Sequence, residues 1–161
     1  MKKFSTKQLL SWVAVVAWMV VIFLFSAQTG KDSGDTSGRI LRLVMKLLYW
    51  NFEDFSPLRQ DSLMAVWGVI VRKGAHFTEY AVLGALLCNA LRTYALSAKL
   101  RWFLPVGIGA LYAVTDEIHQ YFVPERACRL LDMGIDTAGV IFGTAIFMLV
   151  VFLWQKKRSL K

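Results

Sequence analysis

Residues 9–25 read LLSWVAVVAWMVVIFLF, an unbroken uncharged run that follows Lys2, Lys3 and Lys7. A helix of about 17 to 20 such residues crosses the hydrocarbon core of a bilayer. A secretory signal peptide ending at Phe25-Ser26-Ala27 is the alternative, although its apolar region is usually only about 7 to 15 residues long. Outward from this run lie three more apolar stretches, at residues 75–91, 102–118 and 133–154. The chain has 161 residues, 57% hydrophobic and 19% charged, and its apolar residues gather in blocks instead of alternating with polar ones. That pattern excludes a cytosolic globular enzyme and a disordered basic tail. Cys88 lies inside an apolar run and Cys128 in a polar segment, so there is neither a disulfide framework nor a CxxC pair. The expected architecture is an all-α integral membrane protein with one domain over residues 1–161. It forms a four-helix transmembrane bundle with spans near residues 9–27, 74–92, 102–119 and 133–154.

The charge distribution orients these spans. With the N-terminus, residues 92–101 and the C-terminal tail on one side, that side holds Lys2, Lys3, Lys7, Arg92, Lys99, Arg101, Lys156, Lys157, Arg158 and Lys161, and no acid. All 11 acidic residues fall on the other side or at the span ends that open onto it. Cytoplasmic loops are rich in Lys and Arg, which puts both termini inside the cell membrane and the acids outside. The net charge of +8 is thereby explained by topology, and no nucleic-acid partner is expected.

Between the first two spans, residues 28–38 are polar and rich in Gly, Ser, Thr and Asp, the composition of a loop ending in an N-cap before Arg39. Ile40, Leu41, Val44, Leu47 and Leu48 then recur at helical spacing among Arg39, Arg42 and Lys46. This is an amphipathic external helix, lying on the outer leaflet or packed across the mouth of the bundle. The apolar piece at residues 63–71 is too short to span and leads into the second span.

Ionisable side chains within spans are costly unless paired or hydrated. Here they form three clusters. Lys73, His76 and Tyr80 share a helix face, with Glu79 beside them; Asp116, Glu117 and Gln120 sit near the end of the third span; Asp132 and Asp136 open the fourth and continue into Gly139-x-x-x-Gly143. The glycine pair permits close helix packing, within the chain or between two chains. Each cluster falls at the external end of its span, so the three can converge on one polar pocket. Structural pairing across helices would need only one or two such residues.

At these residues the sequence resembles the VanZ-like family of small bacterial membrane proteins. The resemblance is carried by Arg72-Lys73-x-Ala75-His76-Phe77-x-Glu79-Tyr80, by Asp116-Glu117-x-His119-Gln120-x-Phe122-Val123-Pro124-x-Arg126 and by Asp132-x-x-x-Asp136-Thr137-x-Gly139, with a weaker element at Phe25-Ser26-x-Gln28. The sequence departs from the pattern at Glu125, where glycine would follow the proline, and at Cys128, where a small residue is usual. The resemblance implies a link with glycopeptide resistance, to teicoplanin in particular, and carries no reaction.

A cluster of Asp, Glu, His, Lys and Arg at headgroup level suits a phosphorylated lipid, such as a polyprenyl phosphate or lipid II. In a catalytic version Asp116, Asp132 and Asp136, with Glu117 beside them, hold an Mg or Mn ion or activate water, and His76 or Glu79 acts as acid or base. Lys73 and Arg126 clamp phosphate oxygens, and Gln120, Tyr80, Gln28 and Ser26 complete the substrate-binding set. In a non-enzymatic version the same pocket binds a lipid or the membrane anchor of a drug and limits access to the cell-wall target.

Overall fold

A computed structural model describes residues 5–159 apart from the side chains of Asp32, Asp35 and Thr36. Lys2, Lys3 and Lys161, which entered the charge balance, lie outside the described residues. Among those described there are five α-helices and no strand: α1 (Thr6–Ser26), α2 (Gly30–Leu48), α3 (Pro57–Leu91), α4 (Ala98–Tyr121) and α5 (Leu130–Ser159), with a 3-10 turn at Phe52–Asp54.

The helix starts follow from local sequence. Ser5 and Gln8 cap α1 reciprocally, the Ser5 hydroxyl accepting from Gln8 N at 3.2 Å and Gln8 Oε1 accepting from Ser5 N at 2.9 Å. Pro57 opens α3 at a position where no amide hydrogen is needed. Ser97 accepts from Leu100 N at 3.3 Å to start α4. α3 runs unbroken for 35 residues, about 52 Å at the α-helical rise, so residues 63–71 do continue into the apolar stretch beyond.

Hydrogen bonds between helix ends fix their directions. Gln8 Nε2 donates to Thr93 O at 3.5 Å and Trp12 Nε1 to Tyr94 Oη at 2.9 Å, placing the start of α1 beside the end of α3. Ser26 at the end of α1 reaches Asp116 near the end of α4, and Lys73 midway along α3 pairs with Asp132 at the start of α5. α1 and α4 therefore run one way, and α5 and the second half of α3 the other. The tightest seam is between α3 and α5. A Cβ added at Gly139 would lie 2.4 Å from Phe77 O, and one at Gly143 only 1.7 Å from Ala81 O. The Gly139-x-x-x-Gly143 stripe thus packs within the chain, against the backbone of α3.

The exterior is apolar, and the interior holds polar groups beside the apolar core of Val15, Ile22, Leu83 and Leu87. Val13, Val20, Phe23 and Leu24 on α1 and Phe142, Leu149, Phe152 and Leu153 on α5 are exposed, while Ser26, Asp116, Glu117, Gln120, Asp136 and Thr144 are buried. By length and composition two helices, α1 and α5, suffice to cross a membrane, and only 22% of the apolar window of each is buried. The apolar stretches of α3 and α4 are interrupted by Lys73 and Glu79 and by Asp116 and Glu117.

Residues 28–38 differ from the expected loop, because the helix begins at Gly30 and not near Arg39. Its N-terminus is held by the segment linking α4 to α5: Gly30 N donates to Pro124 O at 3.1 Å and Lys31 N to Glu125 Oε2 at 3.0 Å. A carboxylate at the first turn satisfies an otherwise open amide and faces the positive end of the helix dipole. Further along, α2 buries Leu41 and Met45 with Phe52 against Leu63, Met64 and Trp67 of α3, leaving Ile40, Leu43, Leu47 and Leu48 exposed.

Glu125 adopts φ 61°, in the left-handed region that favours glycine. That conformation costs a non-glycine residue about 1 to 2 kcal/mol, and the cap its side chain provides is worth about 1 kcal/mol. Glu125→Gly is therefore expected to leave the thermal unfolding midpoint in detergent nearly unchanged. Glu125→Ala, which keeps the strain and loses the cap, should destabilise by about 1 kcal/mol; equal midpoints for Ala and wild type would remove the capping role.

Candidate functional site

All three polar clusters meet at the end of the bundle where α1 and α4 finish and α5 begins. Ser26 Oγ donates to Asp116 Oδ2 at 2.7 Å, and Gln120 Nε2 donates to both Ser26 Oγ and Asp116 Oδ2 at 3.2 Å. Above this buried network lies Arg126, in the turn after α4. Its Nε donates to Gln28 O at 3.2 Å, Nη1 to Gln120 Oε1 at 3.5 Å and Nη2 to Phe25 O at 3.4 Å. One guanidinium thus ties the exit of α1 to the exit of α4, which explains why its planar, forked donor set belongs at this position. Glu117 Oε2 accepts from Arg129 N at 2.8 Å, fixing the approach to α5.

Beside this network a cavity of about 520 Å³ opens between α2, the first half of α3 and the α4–α5 turn. Of the residues named from the sequence, Lys73, His76, Gln120, Arg126, Asp132 and Asp136 line it. Ser26, Asp116, Glu117 and Tyr80 are buried beneath or beside it, and Gln28 contributes its backbone carbonyl to Arg126. Glu79 is half-buried and does not line the cavity; its carbonyl accepts from Trp18 Nε1 at 2.8 Å. Asp132 is paired with Lys73. Among the described residues no three His, Cys, Asp or Glu side chains are grouped to hold a metal ion. Asp116, Asp132 and Asp136 are accordingly not drawn together as ligands: the first is engaged by Ser26 and Gln120, and the second by Lys73.

Two features set the chemistry of the cavity. At its rim, Arg72, Arg126 and Arg129 have no carboxylate partner within ion-pairing distance among the described residues, which leave out the side chains of Asp32 and Asp35 on α2. Burial, together with the Arg72 charge, pushes the pKa of Arg126 down. An anion between these groups would relieve both effects. At its floor, both carboxylate oxygens of Asp136, none of whose surface is exposed, lack hydrogen-bond partners among the described residues, and Oδ1 lies 3.8 Å from His76 Nδ1, which has no hydrogen-bond partner among them either. The Tyr80 hydroxyl and Asp116 Oδ1 are likewise buried.

Sequence reasoning missed Arg72 and Arg129 as cavity residues, and also Gly34, Ser37 and Gly38 of α2. The last three carried a usable signal: with Leu41 they are spaced at i, i+3, i+4 and i+7, one helix face whose small residues make room for the cavity.

The sequence itself decides the kinship. A family model described as VanZ/LLP1 matches residues 11–152, from α1 into α5. The chain belongs to the VanZ/LLP1 family. Neither a curated protein nor a solved structure matches it. The VanZ/LLP1 match takes in every residue that lines the cavity, and membership fits a resistance-associated membrane protein.

Proposed function

We propose that this VanZ/LLP1 protein is a multi-pass protein of the bacterial cytoplasmic membrane that binds the phosphate-bearing headgroup of a lipid-linked envelope precursor. In this reading α1, α4, α5 and the second half of α3 cross the bilayer, both termini are cytoplasmic, and the cavity faces the outer leaflet. The observation that carries it is the set of three guanidiniums around one cavity, none with an ion-pair partner among the described residues, next to helices whose apolar side chains are exposed. Phosphate supplies the missing countercharge, and a polyprenyl chain lies along the apolar flank of α2 and α3. Holding such a precursor connects the protein to the cell-wall target of glycopeptides, the link to teicoplanin resistance that the family resemblance implies.

Binding is the primary activity, because Asp116, Glu117 and Asp132 are already engaged by protein groups. A catalytic reading is favoured by one observation, the unpartnered Asp136 carboxylate 3.8 Å from His76 at the cavity floor. In that version the pair takes a proton from water attacking the terminal phosphorus of a polyprenyl pyrophosphate, and the bridging P–O bond breaks to release inorganic phosphate and leave the polyprenyl monophosphate.

The test is to incubate detergent-purified protein with polyprenyl phosphate, polyprenyl pyrophosphate and lipid II, and to read bound lipid and lipid mass by native mass spectrometry, with and without Mg²⁺ or Mn²⁺. Retained lipid of unchanged mass is the expected result. A mass change that Asp136→Asn abolishes converts the reading to an enzyme, and no retention of any of the three lipids rejects it.

A further inference from the structure

A second cavity, of about 230 Å³, lies at the opposite end of the bundle, where α3 ends, α4 begins and α5 finishes. Two guanidiniums face it. The Arg92 guanidinium carbon is 5.8 Å from the centroid of the Phe147 ring, and Arg101 Nε donates to Leu96 O at 3.1 Å. Neither has an ion-pair partner among the described residues. None is within reach, because no Asp or Glu occurs before Asp32, between Glu79 and Asp116, or after Asp136.

The wall opposite the arginines is apolar. Phe147, Val151 and Phe152 form it with Cys88, and Phe152, 60% exposed, opens onto the bare flank of α5 that also carries Leu149 and Leu153. Two cations beside an apolar wall open to the side match an anionic amphiphile: its phosphate meets the guanidiniums and its first acyl segment covers the phenyl rings. A free phosphate would use the first feature and leave the second unused.

We infer that this cavity seats an anionic phospholipid of the leaflet at that end of the bundle, a site separate from the precursor cavity. The inference rests on the bilayer-spanning reading above, since it requires that this end lie at lipid headgroup depth. Bound there, the lipid ties α3, α4 and α5 together where no salt bridge among the described residues does so.

The experiment uses the full chain with Cys128→Ser, so that Cys88 is its one thiol, titrated in detergent with phosphatidylglycerol or phosphatidylcholine. Native mass spectrometry should show phosphatidylglycerol retained at least about tenfold more tightly, a difference of about 1.4 kcal/mol. Phosphatidylglycerol should also slow alkylation of Cys88 by an apolar maleimide. Arg92→Gln with Arg101→Gln should abolish both the preference and the protection; Arg92→Lys with Arg101→Lys, which keeps the charges, should retain most of each, and Arg126→Gln should leave Cys88 protection unchanged. Equal retention of the two lipids, unaltered protection in the double Gln variant, or displacement of the lipid by inorganic phosphate overturns the inference. Should the Gln variant not fold, Cys88 protection in the Lys variant and the parent chain still decides the matter. Release of the parent chain from membranes by alkaline carbonate overturns the bilayer reading and this inference together. A membrane-integral chain without lipid preference overturns this inference alone.

Discussion

Gly143→Leu is expected to leave no assembled protein. A Cβ at this position falls 1.7 Å from Ala81 O, and a backbone oxygen in the middle of a helix cannot swing aside. The leucine can be housed only by prying α5 from α3. Overpacking a well-filled interior costs about 1 to 3 kcal/mol in ordinary cases, and contact with a fixed carbonyl puts this one at or beyond the upper end. The consequence reaches the site, because α3 carries Lys73 and His76 while α5 carries Asp132 and Asp136. Gly134→Leu is the control: it lies on the same helix with nothing within 4 Å of its added Cβ. Yield of monodisperse protein in detergent and the thermal midpoint are the readouts. A Gly143→Leu protein as stable as Gly134→Leu would contradict the packing described.

Arg126→Ala is expected to weaken headgroup binding by about tenfold to a hundredfold while the chain remains helical and membrane-bound. The substitution removes three donors that join Gln28 O, Phe25 O and Gln120 Oε1, along with a positive charge on the cavity wall. A hydrogen bond to a charged group is worth about 1.5 to 3 kcal/mol, so the dissociation constant for a polyprenyl phosphate should rise by between about tenfold and a hundredfold. Arg126→Lys should recover little of this, since an ammonium cannot span the three oxygens that the planar fork meets at once. Full recovery with lysine would mean that charge alone matters and that the clamp does not.

The elements legible in the sequence are those whose determinants are local. The uncharged runs show α1 and α5 because exposed apolar side chains and their spacing need no partner to be seen. The beginning of α2 was not legible, because its cap comes from Glu125, 94 residues further along the chain. The glycines, serines and threonines of residues 29–38 read as a loop until that contact is known. The polar clusters could be named from their cost within a bilayer, and each could be placed at the end of its apolar stretch. Their assignments were not legible. Asp116 looks like a free carboxylate in sequence, yet Ser26, 90 residues away, donates to it. Arg129 lies in no motif singled out from the sequence, yet it stands at the rim of the cavity. Tertiary pairing decides which of many ionisable groups remains open to a ligand, and among the described residues these include Arg72 and Arg129 at the rim and Asp136 with His76 at the floor.

The most direct measurement is to photo-cross-link the full chain in proteoliposomes with a polyprenyl phosphate carrying a diazirine next to its phosphate, and to locate the adduct by peptide mass spectrometry. The account predicts adducts on the walls of the larger cavity, within residues 34–41 of α2, 64–76 of α3 or 120–136, and their loss in Arg126→Ala. Adducts confined to the exposed flanks of α1 and α5, unchanged by that substitution, would contradict it.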